Sequence, residues 1–291
     1  MDNFQVYTPD SMTELVKALG QATPNSKILA GGTDLIISLH ERKIYPDLII
    51  DLSGVKELSS IKEENGWVSL GAITTFTEIK ENSLVQKYFP SLAEAAAQVG
   101  SNQIRNRATI GGNIANASPA GDSLPVLSML NAKVFVINHL GNMKEYTIDE
   151  IVAAPRKTNL SYHEAIVSIK IPIPPPAFRS AFVKLGTRTA VTIAMINVAM
   201  GINYDEKTRR VNEACLVIGA ISPKPLRVPE IEKIFIDRPL DHSLLMEFSR
   251  DLSRLVEKTA PVEFEMEYKK DAVNGVALDL MHKLLPEIYP R

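Results

Sequence analysis

Two glycine-paired stretches carry the residues best suited to chemistry. The longer, Ala108 to Leu127 (ATIGGNIANASPAGDSLPVL), sets Gly111-Gly112 between Thr109 and Asn113, then Ser118-Pro119, then Asp122 at the head of an apolar run. The shorter lies upstream: Ile28-Leu29-Ala30-Gly31-Gly32-Thr33-Asp34-Leu35. Glycines let a ligand approach the main chain closely, and consecutive free N–H groups form a concavity suited to phosphate oxygens. Each pair follows a short apolar run, so the two loops read as holding one diphosphate from two sides. The spacing does not match G-x-G-x-x-G, and an ordinary dinucleotide fold is not expected.

Other chemistry is poorly supplied. The five histidines, His40, His139, His163, His242 and His282, are scattered without metal-ligand spacing, so no structural metal is expected. The single cysteine, Cys215, excludes an internal disulfide framework and a self-contained four-cysteine zinc or iron–sulfur site. It lies in an apolar run and reads as a buried, inert thiol. No G-x-S-x-G elbow is present, which leaves hydrolysis without support. Cofactor loops without an evident catalytic acid or base are expected where a cofactor performs the chemistry and the protein supplies position and electrostatics. Arg105 and Arg107 read either as a solvated pair or as neutralising a diphosphate or a partner surface. Lys184, after Ala181-Phe182-Val183, reads by itself as a surface lysine.

The elements that must position these loops follow from local pattern. Ser11-x-x-Glu14 has capping-box spacing and opens a helix through Leu15, Val16 and Leu19 that Gly20 should stop. Strands over Lys27–Ala30 and Asp47–Leu52 flank a helix over Asp34–His40, a βαβ unit with its loop at a strand's carboxyl end and a helix start, where anions are favoured. Asn65-Gly66 between Ile61-Lys62-Glu63 and Trp67-Val68-Ser69-Leu70 signals a hairpin. Ser91-x-x-Glu94 reads as a second capping box, opening an alanine-rich helix that ends near Gly100. The stretch after Ser101 leads into the central loop. Asp122–Leu130 reads as a short helix, Lys133–Asn138 and Met143–Thr147 as a hairpin, and Ala165–Ile171 as a strand. Pro172-Ile173-Pro174-Pro175-Pro176 is a stiff connector, which places domains at 1–175 and 176–291. Beyond it, strand runs at Ala181–Leu185, Ala190–Tyr204 and Val211–Ile221 precede helical runs at Asp241–Lys258 and Tyr268–Leu285, a compact α+β domain.

With 291 residues the chain suits two domains or one large one, and 32 basic against 34 acidic residues give no electrostatic footprint for nucleic acid or an anionic membrane. The N-terminus lacks a secretory pattern, and no apolar run reaches the roughly 18 residues of a spanning helix. A cytoplasmic location is the expectation.

ILAGGTDL at 28–35 together with ATIGGN at 108–113, Ser118-Pro119 and Asp122 closely resembles the two signatures of the FAD-binding subunit of molybdenum hydroxylases, the xanthine dehydrogenase and carbon monoxide dehydrogenase family. The resemblance spans essentially the whole chain, including Gln103-Ile104-Arg105-Asn106 and Phe182-Val183-Lys184-Leu185 with Arg188, and is closest to xanthine dehydrogenase medium subunits. It implies an α+β fold: an FAD-binding domain of the vanillyl-alcohol oxidase (PCMH) type in two subdomains, then a small α+β C-terminal domain of the CO dehydrogenase flavoprotein type. The resemblance further implies that Ile28, Leu29, Ala30, Gly31, Gly32, Thr33, Asp34 and Leu35 wrap the diphosphate and approach the flavin. Ala108, Thr109, Ile110, Gly111, Gly112 and Asn113, with Ser118, would hold its other side. Gly100, Asp122, Ile166, Val167 and Lys184 would line the flavin or the adenosine portion, with Asp122 suited to a ribose hydroxyl. Thr192 departs from the family pattern, since relatives usually carry an acid there, so the resemblance does not carry over an Arg188 ion pair at that point. No His or Cys stands in either loop, which implies noncovalent FAD.

In the family this subunit takes electrons from [2Fe–2S] clusters of a small partner subunit, while hydroxylation occurs at a molybdopterin on a large subunit. The assembly implied is a dimer of heterotrimers, with NAD as the acceptor. The heterocycle oxidised is not legible in this chain. Two other readings stand beside this one: a stand-alone flavoenzyme of the same FAD fold, such as a UDP-N-acetylenolpyruvoylglucosamine reductase-like enzyme, which lacks the TIGGN-x-x-x-x-S-P signature, and a nonredox nucleotide-binding module.

Overall fold

A computed structural model describes residues 4–188, 191–259 and 266–290. Met1 to Asn3 and the start of the strand run expected from Ala190 lie outside the described residues. The chain opens with β1 (Gln5–Tyr7), α1 (Met12–Gln21), β2 (Lys27–Leu29), α2 (Leu35–His40) and β3 (Leu48–Asp51), whose strands form a parallel sheet in the order β1-β3-β2. The βαβ unit is present as expected; β1, only three residues long, carries no pattern that sequence could show. Ser11 caps α1 by accepting from the N–H of Glu14 at 3.3 Å, but the Glu14 carboxylate reaches the N–H of Asp10, so the box is incomplete. Gly20 does not stop the helix, which runs to Gln21. Leu15, Ala18 and Leu19 at helical spacing are fully buried against Leu48, Ile50 and Leu52.

An antiparallel sheet follows. Strands β4 (Ile61–Glu64) and β5 (Trp67–Gly71) are joined by Asn65 at φ +50° and Gly66 at φ +80°, the left-handed pair a two-residue hairpin turn requires. Three helices come next, α3 (Phe76–Glu81), α4 (Ser83–Tyr88) and α5 (Pro90–Gln98). The expected box at Ser91 and Glu94 is a correction: Pro90 occupies the first helical position, so Ser91 falls inside the first turn, where its buried hydroxyl has no partner. Glu94 instead pairs with Lys283 near the other end of the chain. After α6 (Asn102–Arg105), α7 (Ile110–Asn116) and α8 (Ser123–Met129) come β6 (Lys133–Asn138), β7 (Met143–Thr147), α9 (Ile148–Ile151), the small hairpin β8 (Val152–Ala154) and β9 (Lys157–Thr158), and β10 (Glu164–Pro172). The main sheet runs β4-β5-β10-β6-β7, with a bulge in β10 at Val167.

The last part holds β11 (Phe178–Gly186), β12 (Ala194–Asp205), β13 (Arg210–Gly219), β14 (Leu226–Arg227), α10 (Pro229–Glu232), α11 (His242–Thr259) and α12 (Met266–Leu284). The four strands form an antiparallel sheet in sequence order. Ala181, Val183, Val198 and Met200 face α11 and α12, while Phe182, Ala199 and Val217 join the core of the preceding half. Both faces are covered, which is why Ala194 to Gly201 shows an unbroken buried run instead of alternation.

Asn197 is the one polar residue in that run, and it belongs to a buried network between the two halves. Lys184 of β11 donates to Asp122 at 2.6 Å, with the two side chains only 4% and 6% exposed. Its ammonium also donates to the carbonyl of Gln98 at 3.1 Å, and Asn197 Nδ2 donates to the other Asp122 oxygen at 3.2 Å. Removing one member leaves a buried charge without its counterpart. Asp122→Ala is therefore expected to cost about 3–5 kcal/mol in urea unfolding, whereas Asp122→Leu combined with Lys184→Met recovers most of that loss.

Candidate functional site

The first glycine loop leaves β2 at its carboxyl end and enters α2. Gly32 takes φ +76°, a conformation that places successive amides on one side of the turn. The carbonyls of Gly32 and Asp34 accept from Ile36 at 3.0 Å and Ser38 at 3.1 Å, starting the helix. Among the described residues, no acceptor meets the N–H groups of Gly31, Gly32, Thr33 or Asp34. These donors, on half-buried Gly31, Gly32 and Thr33 and exposed Asp34, fit the oxygens of a diphosphate. Gly31 serves another purpose: a Cβ there would strike the carbonyl of Arg107 and the main chain of Ala108, so its absence lets the two glycine stretches touch backbone to backbone.

The second stretch behaves differently from expectation. It is not an open loop but the first turn of α7, and its donors are already used. Thr109 Oγ1 accepts from Gly112 at 3.1 Å, the N–H of Ile110 donates to the carbonyl of Thr74 at 3.0 Å, and that of Gly111 to the carbonyl of Ala72 at 2.9 Å. Ile110 is fully buried, with Ala108 and Thr109 nearly so. A Cβ on Gly111 would sit 2.7 Å from the Ala72 carbonyl, whereas one on Gly112 would meet only Thr109 Oγ1 at 2.8 Å. Gly112 is thus the bare position, and this side offers close approach without amide donors. Asn113 Oδ1 accepts from Ser123 at 2.7 Å, and the carbonyl of Ser118 accepts from Gly121 at 2.9 Å, which closes the turn into α8.

A third region lies between α6 and the end of β11. A cavity of about 690 Å³ is lined by Gly100, Ser101, Asn102 and Arg105 on one side and by Lys184 to Arg188, Val191 and Thr192 on the other. Gly100 takes φ +46°, and Arg105 donates to the carbonyls of Val99 at 2.8 Å and Gly100 at 2.9 Å. Arg105 therefore staples this turn while lining the cavity. Arg188 donates to the carbonyl of Val191, and Thr192 Oγ1 accepts from the N–H of Thr187 at 3.2 Å, so a loop closure stands where an acid would.

Asp122, Lys184, Ile166 and Val167, all expected at the cofactor, pack into the protein's own interior. Asp122 is buried, and its two carboxylate oxygens accept from Lys184 and Asn197. Burial dominates its titration and holds the carboxyl above its usual range, against the lowering pull of Lys184 and Asn197. Lys184 is no surface lysine, and only its position beside the cavity links it to a ligand. Ile166 and Val167 are buried in the two neighbouring cores, because both faces of β10 are covered there. Cys215 is half-buried, not buried; desolvation pushes its thiol up to about 11, which keeps it inert. Among the described residues no cluster of His, Cys, Asp or Glu could hold a metal. Sequence reading missed Asn116, which donates from Nδ2 to Asp34 at 3.0 Å, and Asn197, whose signal was a lone polar residue in an apolar strand.

Residues 2–174 match the FAD binding domain in molybdopterin dehydrogenase, and residues 181–284 match the CO dehydrogenase flavoprotein C-terminal domain. The chain is 31% identical to the nicotinate dehydrogenase FAD-subunit of Eubacterium barkeri over 99% of its length and 98% of that protein. It is 32% identical to the xanthine dehydrogenase FAD-binding subunit of Escherichia coli O157:H7 over 79% of this chain and 78% of that one. In fold it is similar to a chain of carbon monoxide dehydrogenase from Hydrogenophaga pseudoflava, with a TM-score of 0.88, 24% identity and 98% of each chain covered. The chain belongs to the family of FAD-binding medium subunits of molybdenum hydroxylases and is an oxidoreductase subunit.

Proposed function

We propose that this chain is the electron-transferring flavin subunit of a xanthine dehydrogenase-like complex, working between the [2Fe–2S] clusters of a small partner subunit and NAD as acceptor. Hydroxylation belongs, in this reading, to a molybdopterin on a large partner subunit, and the three chains assemble as a dimer of heterotrimers in the cytoplasm. The observation that carries the reading is the row of unpartnered amides from Gly31 to Asp34, opposite a bare backbone at Gly112. Bound FAD supplies the reversible electron exchange that none of the protein's own side chains offers. The amides of Gly31 to Asp34 would hold its diphosphate, and Gly112 would leave room for it. Neither loop contains a His or Cys, so attachment is noncovalent. The cavity beside Gly100 and Lys184 is large enough to admit a planar acceptor ring. We place the domain boundary at 175/176, in the proline-rich connector.

Dependence on partners is supported by α2. This helix reads Leu-Ile-Ile-Ser-Leu-His, begins where the amide row ends, and buries none of its side chains. Ile36 and Ile37 are 40% and 54% exposed, and Tyr45 in the following loop is 62% exposed. An apolar surface beside a cofactor cradle is where a redox partner would dock, because electrons must arrive over a short distance.

Gly112→Val should purify with little or no flavin while retaining its cooperative thermal transition, as read from absorbance near 450 nm and from calorimetry; a full complement of flavin would overturn the cradle. The isolated, flavin-loaded chain should pass electrons from NADH to an artificial dye yet fail to oxidise xanthine or related heterocycles. Replacing Ile36 and Ile37 by Glu should leave flavin content intact and abolish capture of the small subunit in a pull-down.

A further inference from the structure

The amide row works only if it is held in place, and α2 ties it only through bonds to the Gly32 and Asp34 carbonyls, while burying no side chain of its own and taking no capping bond from Asp34. A ligand phosphate at Gly31 to Asp34 also meets the Asp34 carboxylate, an adverse charge unless that carboxylate is compensated. Both needs are met by one chain of contacts. Asp34 accepts from Asn116 Nδ2 at 3.0 Å, across 82 residues. Asn116 Oδ1 in turn accepts from Arg156 Nη1 at 3.4 Å. A neutral amide thus lies between a carboxylate and a guanidinium, with its donor end toward the anion and its acceptor end toward the cation, so each end fixes the orientation of the other.

Arg156 is brought there by the β8–β9 hairpin. That hairpin has five strand residues, too few to be stable alone. Its turn docks on the end of α7: the N–H of Arg156, itself at φ +56°, donates at 2.8 Å to the carbonyl of Ala117, at φ +45°. The docked turn delivers the guanidinium to Asn116, the last residue of α7.

We infer that Asn116 and Arg156 form a latch that positions the Gly31–Asp34 amides and compensates the Asp34 carboxylate, so that Asn116, at the far end of α7, and Arg156, outside both glycine stretches, act on flavin affinity. This rests on the flavin-subunit reading. The test is the FAD dissociation constant of deflavinated protein, followed by flavin fluorescence, for wild type, Asn116→Ala, Arg156→Gln, Arg156→Lys and the Asn116→Ala/Arg156→Gln double variant, with calorimetry of each apoprotein. Each single loss should weaken FAD binding roughly 3- to 10-fold. The double variant should be no weaker than the poorer single one, because one chain of contacts is broken only once. Arg156→Lys should recover part of the affinity, and the apoprotein transition of the exposed Arg156 variants should not move. Unchanged affinity in both single variants, or additive losses in the double, overturns the latch while leaving the flavin reading intact. Failure of the wild type to bind FAD overturns both.

Discussion

The buried ion pair between Asp122 and Lys184 is the interaction on which the rest of the arrangement depends. Two charges withdrawn from water are tolerated because they meet each other and two further polar groups: Lys184 reaches both Asp122 and the Gln98 carbonyl, and Asn197 Nδ2 donates to the other carboxylate oxygen. Their attraction fixes three pieces of chain at once, the start of α8, the end of α5 and strands β11 and β12 of the C-terminal sheet. Gly100 and Lys184 face one cavity because of that alignment. The same network makes Asp122 a structural carboxylate first, whatever its place in the family signature.

The two glycine pairs, alike in sequence, divide their labour. In each pair one glycine permits a backbone contact within the protein: Gly31 under Arg107, Gly111 against Ala72. The other two differ in what they release. Gly32 turns the chain so that amides remain unpaired, while Gly112 is bare but its N–H is spent on Thr109. The cradle is therefore one-sided electrostatically, with donors on the first loop and only space on the second. A helix start offers donors to a ligand only when nothing in the protein has taken them, and at α7 Thr74, Ala72 and Thr109 have.

A chain with no metal cluster among its described residues and an inert thiol has little chemistry of its own. What it contributes is placement. The amide row, the Gly100 turn stapled by Arg105 and the exposed apolar helix α2 lie in one connected region, because Arg107 and Ala108, which follow that turn, touch Gly31 directly. The amide row, the cavity beside Gly100 and the exposed face of α2 are thus joined through main-chain contacts, which do not adjust the way flexible side chains do.

Much of this was legible in the amino-acid order. The Asn65-Gly66 hairpin, the βαβ unit around the first loop, the β6–β7 hairpin and the long final helices follow from turn chemistry and periodicity, whose causes lie within a few residues. The two glycine signatures likewise pointed to the family. The errors share one cause. Ser91 has capping-box spacing, but Pro90 already begins the helix; Gly111-Gly112 promised free amides, but Ala72 and Thr74 arrive from elsewhere in the chain to take them. Asp122 and Lys184 are separated by 62 residues, and Asp34 and Asn116 by 82. Local sequence determines which donors, acceptors and charges a segment carries and how its backbone turns. Which of them remain free for a ligand is decided only by tertiary structure, because a hydrogen-bond partner is set by distance in space and not by separation along the chain.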